Sequence, residues 1–199
     1  MNDSQCRLLA LQSEIPSVGY WRPPVPGWLK LNTDGSSLGN PGPSSYGGII
    51  RDDGGAWVCG YVGNIGWDTT LGAEISGISM GLRLIRAMEF KKVVIETDSQ
   101  AALLLLTVDG VDDCHPLKLS IEDCRRDLRE LGCYMVHVKR DGNHCADRMA
   151  KIGGRQDGDF IFYDDAPPML FRFLEEDAAG YPTLKSFFMD DTPKRVALI

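Results

Sequence analysis

Four carboxylates stand where a folding pattern has no use for them: Asp34, Glu74, Asp98 and Asp147. Asp34 closes the alternating segment Trp28-Leu29-Lys30-Leu31-Asn32-Thr33-Asp34. Glu74 comes three residues after Leu71 and four before Ile78, which puts it on the apolar face of a helix. Asp98 follows the β-branched run from Lys92 to Thr97, and Asp147 sits one turn into a short helix. Half-buried carboxylates are costly unless they are paired or bound to a cation. Each acid has an ordinary reading by itself. Asp34 would be a turn residue before Gly35, Glu74 half of a salt bridge, Asp98 a helix cap, and Asp147 a charge favoured by the helix dipole. Together, at element ends that can converge, they form a set of hard oxygen ligands in a chain with only three histidines. Such a set suits Mg²⁺ or Mn²⁺. Two such ions about 4 Å apart can activate a water and stabilise the leaving oxygen of a phosphodiester.

The elements that must position these acids are legible as changes of period. Trp28 to Asp34, Tyr46 to Arg51 and Ala56 to Asn64 read as strands, the last two joined by the hairpin residues Asp52-Asp53-Gly54-Gly55. Gly35 to Ser45 reads as a turn segment. Leu71, Ile75, Ile78, Leu82 and Ile85 then make one helical stripe, with Thr69 or Thr70 as its N-cap. Lys92 to Thr97 is a fourth strand, and Asp98 or Ser99 can cap a short helix running through Val108. A helix opened by Pro116 and closed by Gly132 carries Leu117, Ile121, Cys124, Leu128 and Leu131. Cys133 to Lys139 is a fifth strand, and Asn143 can cap a helix to about Ile152. Hairpins first and helical crossovers afterwards imply an α/β fold with a mixed five-stranded sheet in the order 3-2-1-4-5 and helices on both faces. Strands one and four are then parallel neighbours, and ligands gather beyond the carboxyl ends of such strands.

The chain has 199 residues, 43% apolar and 25% charged, which is globular composition for one domain with tails. It divides into a Pro-rich leader (1–27), a folded domain (28–152) and an acidic, irregular extension (153–199). The net charge of −7 argues against indiscriminate binding to nucleic acid, because phosphate affinity comes mainly from Lys and Arg. No apolar run is long enough to span a bilayer and no secretory signal is visible, so an intracellular protein is expected, in nucleus or cytoplasm. Six cysteines without CxxC spacing read as reduced thiols rather than a zinc site.

At the four acids the sequence resembles the type 1 ribonuclease H family. Asp34-Gly35-Ser36-Ser37-Leu38-Gly39-Asn40-Pro41-Gly42 is similar to that family's first catalytic strand and turn. Ala73-Glu74 is similar to its helix acid, and Thr97-Asp98-Ser99-Gln100 to its third acid and cap. Asn143-His144-Cys145-Ala146-Asp147 resembles its last acid, with an asparagine four residues before. The likeness covers about residues 28–152, and the Trp-x-Pro-Pro leader resembles that of the plant retroelement-derived branch. The resemblance implies endonucleolytic hydrolysis of the RNA strand of RNA/DNA hybrids by two Mg²⁺ or Mn²⁺ ions held by Asp34, Glu74, Asp98 and Asp147. Asp34 would bridge the ions, Asp147 would serve the water, and Glu74 and Asp98 the leaving oxygen. It also implies that Gly35, Ser36, Ser37, Asn40 and Gln100 read 2′-hydroxyls, the contact that separates RNA from DNA.

The chain departs from the family pattern in places. The link from Val138 to Asn143 offers no loop histidine, so His137 reads as a strand residue and His144 as a surface residue. No basic protrusion is visible between Val108 and Pro116, which carries Asp109, Asp112 and Asp113. The remaining candidates for phosphate contact are Arg51, Lys139, Arg140 and Arg148. Two other readings compete. One is a nucleic-acid-binding module of this fold with little or no turnover. The other is a scaffold whose tail motifs Phe160-Ile161-Phe162-Tyr163, Met169-Leu170-Phe171 and Phe187-Phe188-Met189 bind a protein; folding of these motifs back onto the domain is favoured over that. A monomer acting on a hybrid, with no membrane partner, is expected.

Overall fold

The computed structural model describes residues 20–156 and 158–179. Residues 1–19 of the leader and the motif Phe187-Phe188-Met189 lie outside the described residues. Strands β1 (Leu29–Ser37), β2 (Gly42–Arg51) and β3 (Trp57–Asp68) form an antiparallel meander. Strand β4 (Val93–Thr97) pairs parallel to β1, and β5 (Tyr134–His137) parallel to β4. The order expected for the five strands is present, and a sixth strand, β6 (Phe160–Tyr163), extends the sheet beyond β3.

Five helices cover the two faces. Helices α1 (Thr70–Ala87), α2 (Gln100–Thr107) and α3 (Lys118–Leu131) bury Ile75, Ile78, Leu82, Ile85, Leu106, Ile121 and Leu128 against Leu31, Ile50, Tyr61 and Ile95 of the sheet. Helices α4 (His144–Gly153) and α5 (Phe171–Ala179) lie on the other face, where Cys145, Met149 and Leu170 pack with Ile49 and Val62. The apolar stripe of α1 is the one the spacing predicts, and the Thr69 hydroxyl caps it by accepting from the Gly72 N–H at 3.0 Å. Ser99 caps α2 in the same way.

Three local expectations are corrected. The turn segment from Gly35 to Ser45 is mostly strand: β1 runs on to Ser37 and β2 begins at Gly42, so the hairpin is longer and its turn tighter. Small polar residues were read as a loop, yet here backbone pairing of Gly35 with Tyr46 and Ser37 with Ser44 satisfies them. Pro116 precedes its helix, which starts at Lys118; His115 instead supplies the acceptors for the Leu117 and Lys118 amides. The chain after Gly153 is not irregular throughout, because β6 pairs with Gly60–Gly63 of β3 and α5 packs beneath α4.

Two glycines let the helices come close enough to matter. A methyl group on Gly35 would collide with the backbone of Ala73 and Glu74 in α1. One on Gly47, the cross-strand partner of Asp34, would collide with the backbone of Met149 and Ala150 in α4. Helix backbones therefore rest directly on both faces of the hairpin beside Asp34. Gly35→Ala is expected to destabilise the protein by about 1–3 kcal/mol through forced separation of strand and helix, read as a lower urea midpoint; an unchanged midpoint would show that the contact has slack.

Candidate active site

Asp34 ends the buried part of β1 and is 7% exposed; Glu74, in the second turn of α1, is 6% exposed. Asp98 directly follows β4, the parallel neighbour of β1. One carboxylate oxygen from each of these three residues lies within 4.8 Å of the other two. The strand order dictates this meeting. Parallel β1 and β4 end side by side, and the Gly35 contact sets α1 across that end. Among the described residues this is the group of acids, histidines or cysteines that could hold a metal ion, and the cysteines there are free thiols.

Asp147, in the first turn of α4, faces the same pocket, together with Thr70, Arg140 and His144. It stands outside the three-acid group, and its carboxylate lies 2.6 Å from Lys151 Nζ, one turn along the same helix. The structure thus gathers three of the four expected acids tightly and sets the fourth at the rim.

Burial is the main influence on the inner acids. It pushes Asp34 up to about 8, and the charges of Asp98 and Asp147 add to the effect. It pushes Glu74 up to about 9, with Asp34 and Asp98 adding. The backbone at Gly35 pulls both the other way. Glu74 Oε2 is buried with no hydrogen-bond partner. A buried oxygen acceptor without a donor is strongly disfavoured in a folded protein. An all-oxygen donor set with one oxygen unclaimed fits a hard divalent cation.

The other predicted residues fall in different places. Gly35 forms part of the pocket wall, and Ser36 is half-buried beside it. The Ser37 hydroxyl donates to Gly39 O at 2.6 Å and accepts from Ser44 Oγ at 2.8 Å. Asn40 Oδ1 accepts from the Thr70 N–H at 3.1 Å, which ties the hairpin tip to the start of α1. Gln100 is exposed at the first position of α2. Lys139 and Arg148 are exposed, the latter with its guanidinium 5.1 Å from the Phe173 ring. Arg140 is fully extended into solvent except for Nε, 3.5 Å from Asp98 Oδ2. Arg51 is corrected outright: it is 1% exposed, so no phosphate can reach it. Helix α5 covers it and supplies Asp177, whose Oδ2 is 2.7 Å from Arg51 Nη1.

Residues that sequence reasoning undervalued also surround the pocket. Asn143 holds the cap position of α4 but makes no cap bond. Its Nδ2 donates to Thr33 O at 3.0 Å and lies 3.5 Å from Asp98 Oδ1. The signal for it was its fixed place four residues before Asp147. His137 ends β5 with Nε2 3.2 Å from the Asp98 carbonyl oxygen, and His144 faces into the pocket.

Comparison with known proteins bears on the family and the fold. The family described as reverse transcriptase-like matches residues 32–153. The "Putative ribonuclease H protein" of Arabidopsis thaliana is 36% identical over 170 residues, 85% of this chain; those residues span only 27% of that relative's length. The crystal structure of RNase H1 from the halophilic archaeon Halobacterium salinarum is similar over 64% of this chain and 97% of its own, at TM-score 0.59 and 26% identity. LC11-RNase H1, solved in complex with an RNA/DNA hybrid, shares the fold at TM-score 0.58 and 24% identity, over 64% of this chain and 96% of its own. Among the described residues no helix is long and apolar enough to cross a membrane.

The raised acids give a signed pH dependence. The unfolded chain releases the protons of Asp34 and Glu74 near 3.8 and 4.5, whereas the folded site keeps them to about 8 and about 9. Between those limits the folded state binds more protons, so stability is full at low pH and falls as pH rises. In chelator the melting temperature is expected to drop steadily from about pH 5 to about pH 9 on this account, and Asp34→Asn to flatten that slope. A slope unchanged in Asp34→Asn would mean that the acids are not crowded.

Proposed function

The chain belongs to the reverse transcriptase-like family, and we propose that it is a divalent-cation-dependent endonuclease that hydrolyses the RNA strand of RNA/DNA hybrids, leaving a 5′-phosphate and a 3′-hydroxyl. The observation that carries this reading is the meeting of Asp34, Glu74 and Asp98 within 4.8 Å at the ends of parallel strands. The resemblance of the Asp34 turn to the ribonuclease H hairpin and the likeness to the plant relative support it.

Residues 28–152 form the catalytic unit of the proposal, with 1–27 as leader and 153–199 as extension. Asp34, Glu74, Asp98 and Asp147 would hold two Mg²⁺ or Mn²⁺ ions, with Asp34 shared between them. When bound, the ions supply an activated water and neutralise charge on the leaving oxygen. The protein's own part is placement. The backbone of Gly35 and Ser36, the Ser37 hydroxyl, Asn40 and Gln100 would contact the 2′-hydroxyls of an RNA strand. Lys139, Arg140 and Arg148 offer cations to the phosphates on either side. Asp147 joins the site by leaving Lys151, an exchange along one turn of α4.

The Asp147–Lys151 pair would favour a second reading, hybrid binding with little turnover. One assay separates the two. Purified protein is incubated with a labelled RNA/DNA duplex, with Mg²⁺, with Mn²⁺ and in chelator. Cation-dependent cutting of the RNA strand alone is expected. Asp98→Asn should slow it about a thousandfold, because the ligand set is worth several kcal/mol of charge stabilisation. Bound but uncut hybrid would support the module; equal cutting by Asp98→Asn would sink the assignment. Millimolar Mg²⁺ is also expected to raise the melting temperature by binding the native state; an unmoved curve would count against a preformed site.

A further inference from the structure

The extension is wired to the acids by a buried chain of hydrogen bonds. Lys30, Asn32 and Asp34 share one face of β1 by strand alternation. Asn32 is fully buried, and all four of its side-chain bonding positions are used. Its Oδ1 accepts from Trp21 Nε1 at 2.8 Å and from Arg51 Nη2 at 3.0 Å. Its Nδ2 donates to Glu96 Oε2 at 2.8 Å and to Asn143 Oδ1 at 3.2 Å. Asn143 then turns its Nδ2 towards Thr33 O and Asp98 Oδ1.

The direction of these bonds is the informative part. Arg51 and Trp21 can only donate, so Asn32 must present its oxygen to them and its amide nitrogen to Asn143. Asn143 must then answer with its oxygen, which leaves its N–H groups facing Asp98. With either amide reversed, an oxygen of Asn143 would face the Asp98 carboxylate. Arg51, Trp21 and Glu96 together set the polarity of the chain, and Arg51 is the member that ties it to the extension. Asp177 of α5 in turn holds Arg51, and it is the carboxylate within ion-pair distance of Arg51 among the described residues. The guanidinium is also clamped 3.4 Å from the centre of the Trp21 ring.

We propose that Asp177 is a positioning residue: through Arg51, Asn32 and Asn143 it fixes the orientation of Asp98, so that the working unit reaches from Trp21 to α5 rather than ending near residue 152. The proposal rests on the reading of Asp98 as a site carboxylate. Without Asp177, Arg51 becomes a buried cation with no counter-charge, free to shift or to draw in water. Asn32 then loses one of the two donors to its oxygen, and the bond from Asn32 that holds Asn143 beside Asp98 loosens. Partners that orient a cation-binding carboxylate typically contribute about 10–100-fold in affinity.

The test compares Asp177→Asn with Leu174→Ala, a variant of the same helix that removes only apolar packing. Mg²⁺ is titrated against melting temperature, and hybrid cleavage is measured at saturating Mg²⁺. In Asp177→Asn the half-saturating Mg²⁺ is expected to rise about tenfold and kcat to fall, with KM within about twofold; Leu174→Ala should lower stability yet leave half-saturation within about twofold. The side-chain amide signals of Asn32 and Asn143 in metal-free protein should move in Asp177→Asn and stay in Leu174→Ala. If a lone buried cation unfolds Asp177→Asn, the double variant Arg51→Met with Asp177→Leu removes both charges together, and the same weakening is expected. Wild-type Mg²⁺ dependence in either Asp177 variant, or equal effects in Leu174→Ala, would overturn the proposal. Wild-type protein that neither binds Mg²⁺ nor cuts hybrid would fail the nuclease reading alone, and the amide signals would still decide the positioning role: unmoved signals overturn it, shifted ones uphold it.

Discussion

Like charge held out of water is the constraint around which this molecule is organised. Asp34, Glu74 and Asp98 bring their oxygens together at a largely buried sheet end, where burial and mutual repulsion push the first two far above the usual carboxylate range. Such an arrangement survives only where the surrounding structure leaves the acids no other place. Here the parallel pairing of β1 and β4 sets two of them side by side, and a helix backbone seated on Gly35 delivers the third. Substituting the glycine would press on the backbone of Glu74 and so move the acid carried by α1.

A few ångströms back along the same strand, charge is buried under the opposite rule. Lys30 lies 2.5 Å from Glu96, and Arg51 lies 2.7 Å from Asp177. Two cations meet two anions, and Asn32 bridges the pairs. That layer is neutral within itself. The acid layer has no comparable answer: Arg140 reaches Asp98 from open solvent, where pairing is weak, and Lys151 faces Asp147 on the rim. The contrast between a balanced and an unbalanced buried layer on one strand is what singles out the second as the candidate cation site. Buried acids alone would not.

Much of this was legible in the chain because it is written locally. The four-three spacing from Leu71 to Ile85 gives α1, and the position of Glu74 within that stripe gives its inward face. The β-branched run to Thr97 gives β4, and Asp98 follows at its end. What escaped is carried by distant partners. Arg51 reads as a cation free for phosphate contact, because its counter-ion is 126 residues away. Asn143 stands at the cap position of its helix, and the distant partners Thr33 and Asn32 draw its side chain elsewhere. The motif Phe160–Tyr163 is expected to fold back onto the domain and does so as β6, but no local signal gives its pairing at the edge beside β3. The extended β1–β2 hairpin was hidden by its glycines and serines, which are loop residues by propensity and strand residues by pairing.

The place of Asp147 follows from the same balance of charges. Its contact with Lys151 is an i,i+4 ion pair whose side chains are 40% and 50% exposed. Pairs of that kind are worth about 0.3–0.5 kcal/mol and are screened by salt. A doubly charged ion at the inner acids would present a far stronger field to the Asp147 carboxylate than one mobile ammonium does. The three inner acids are fixed by strand ends and a seated helix, whereas the fourth is held by a contact that a divalent cation can outcompete. On the proposed function, an open rim carboxylate on a rigid buried base would let a long polyanion approach before Asp147 engages, so the weakness of this one pair is compatible with a four-acid site.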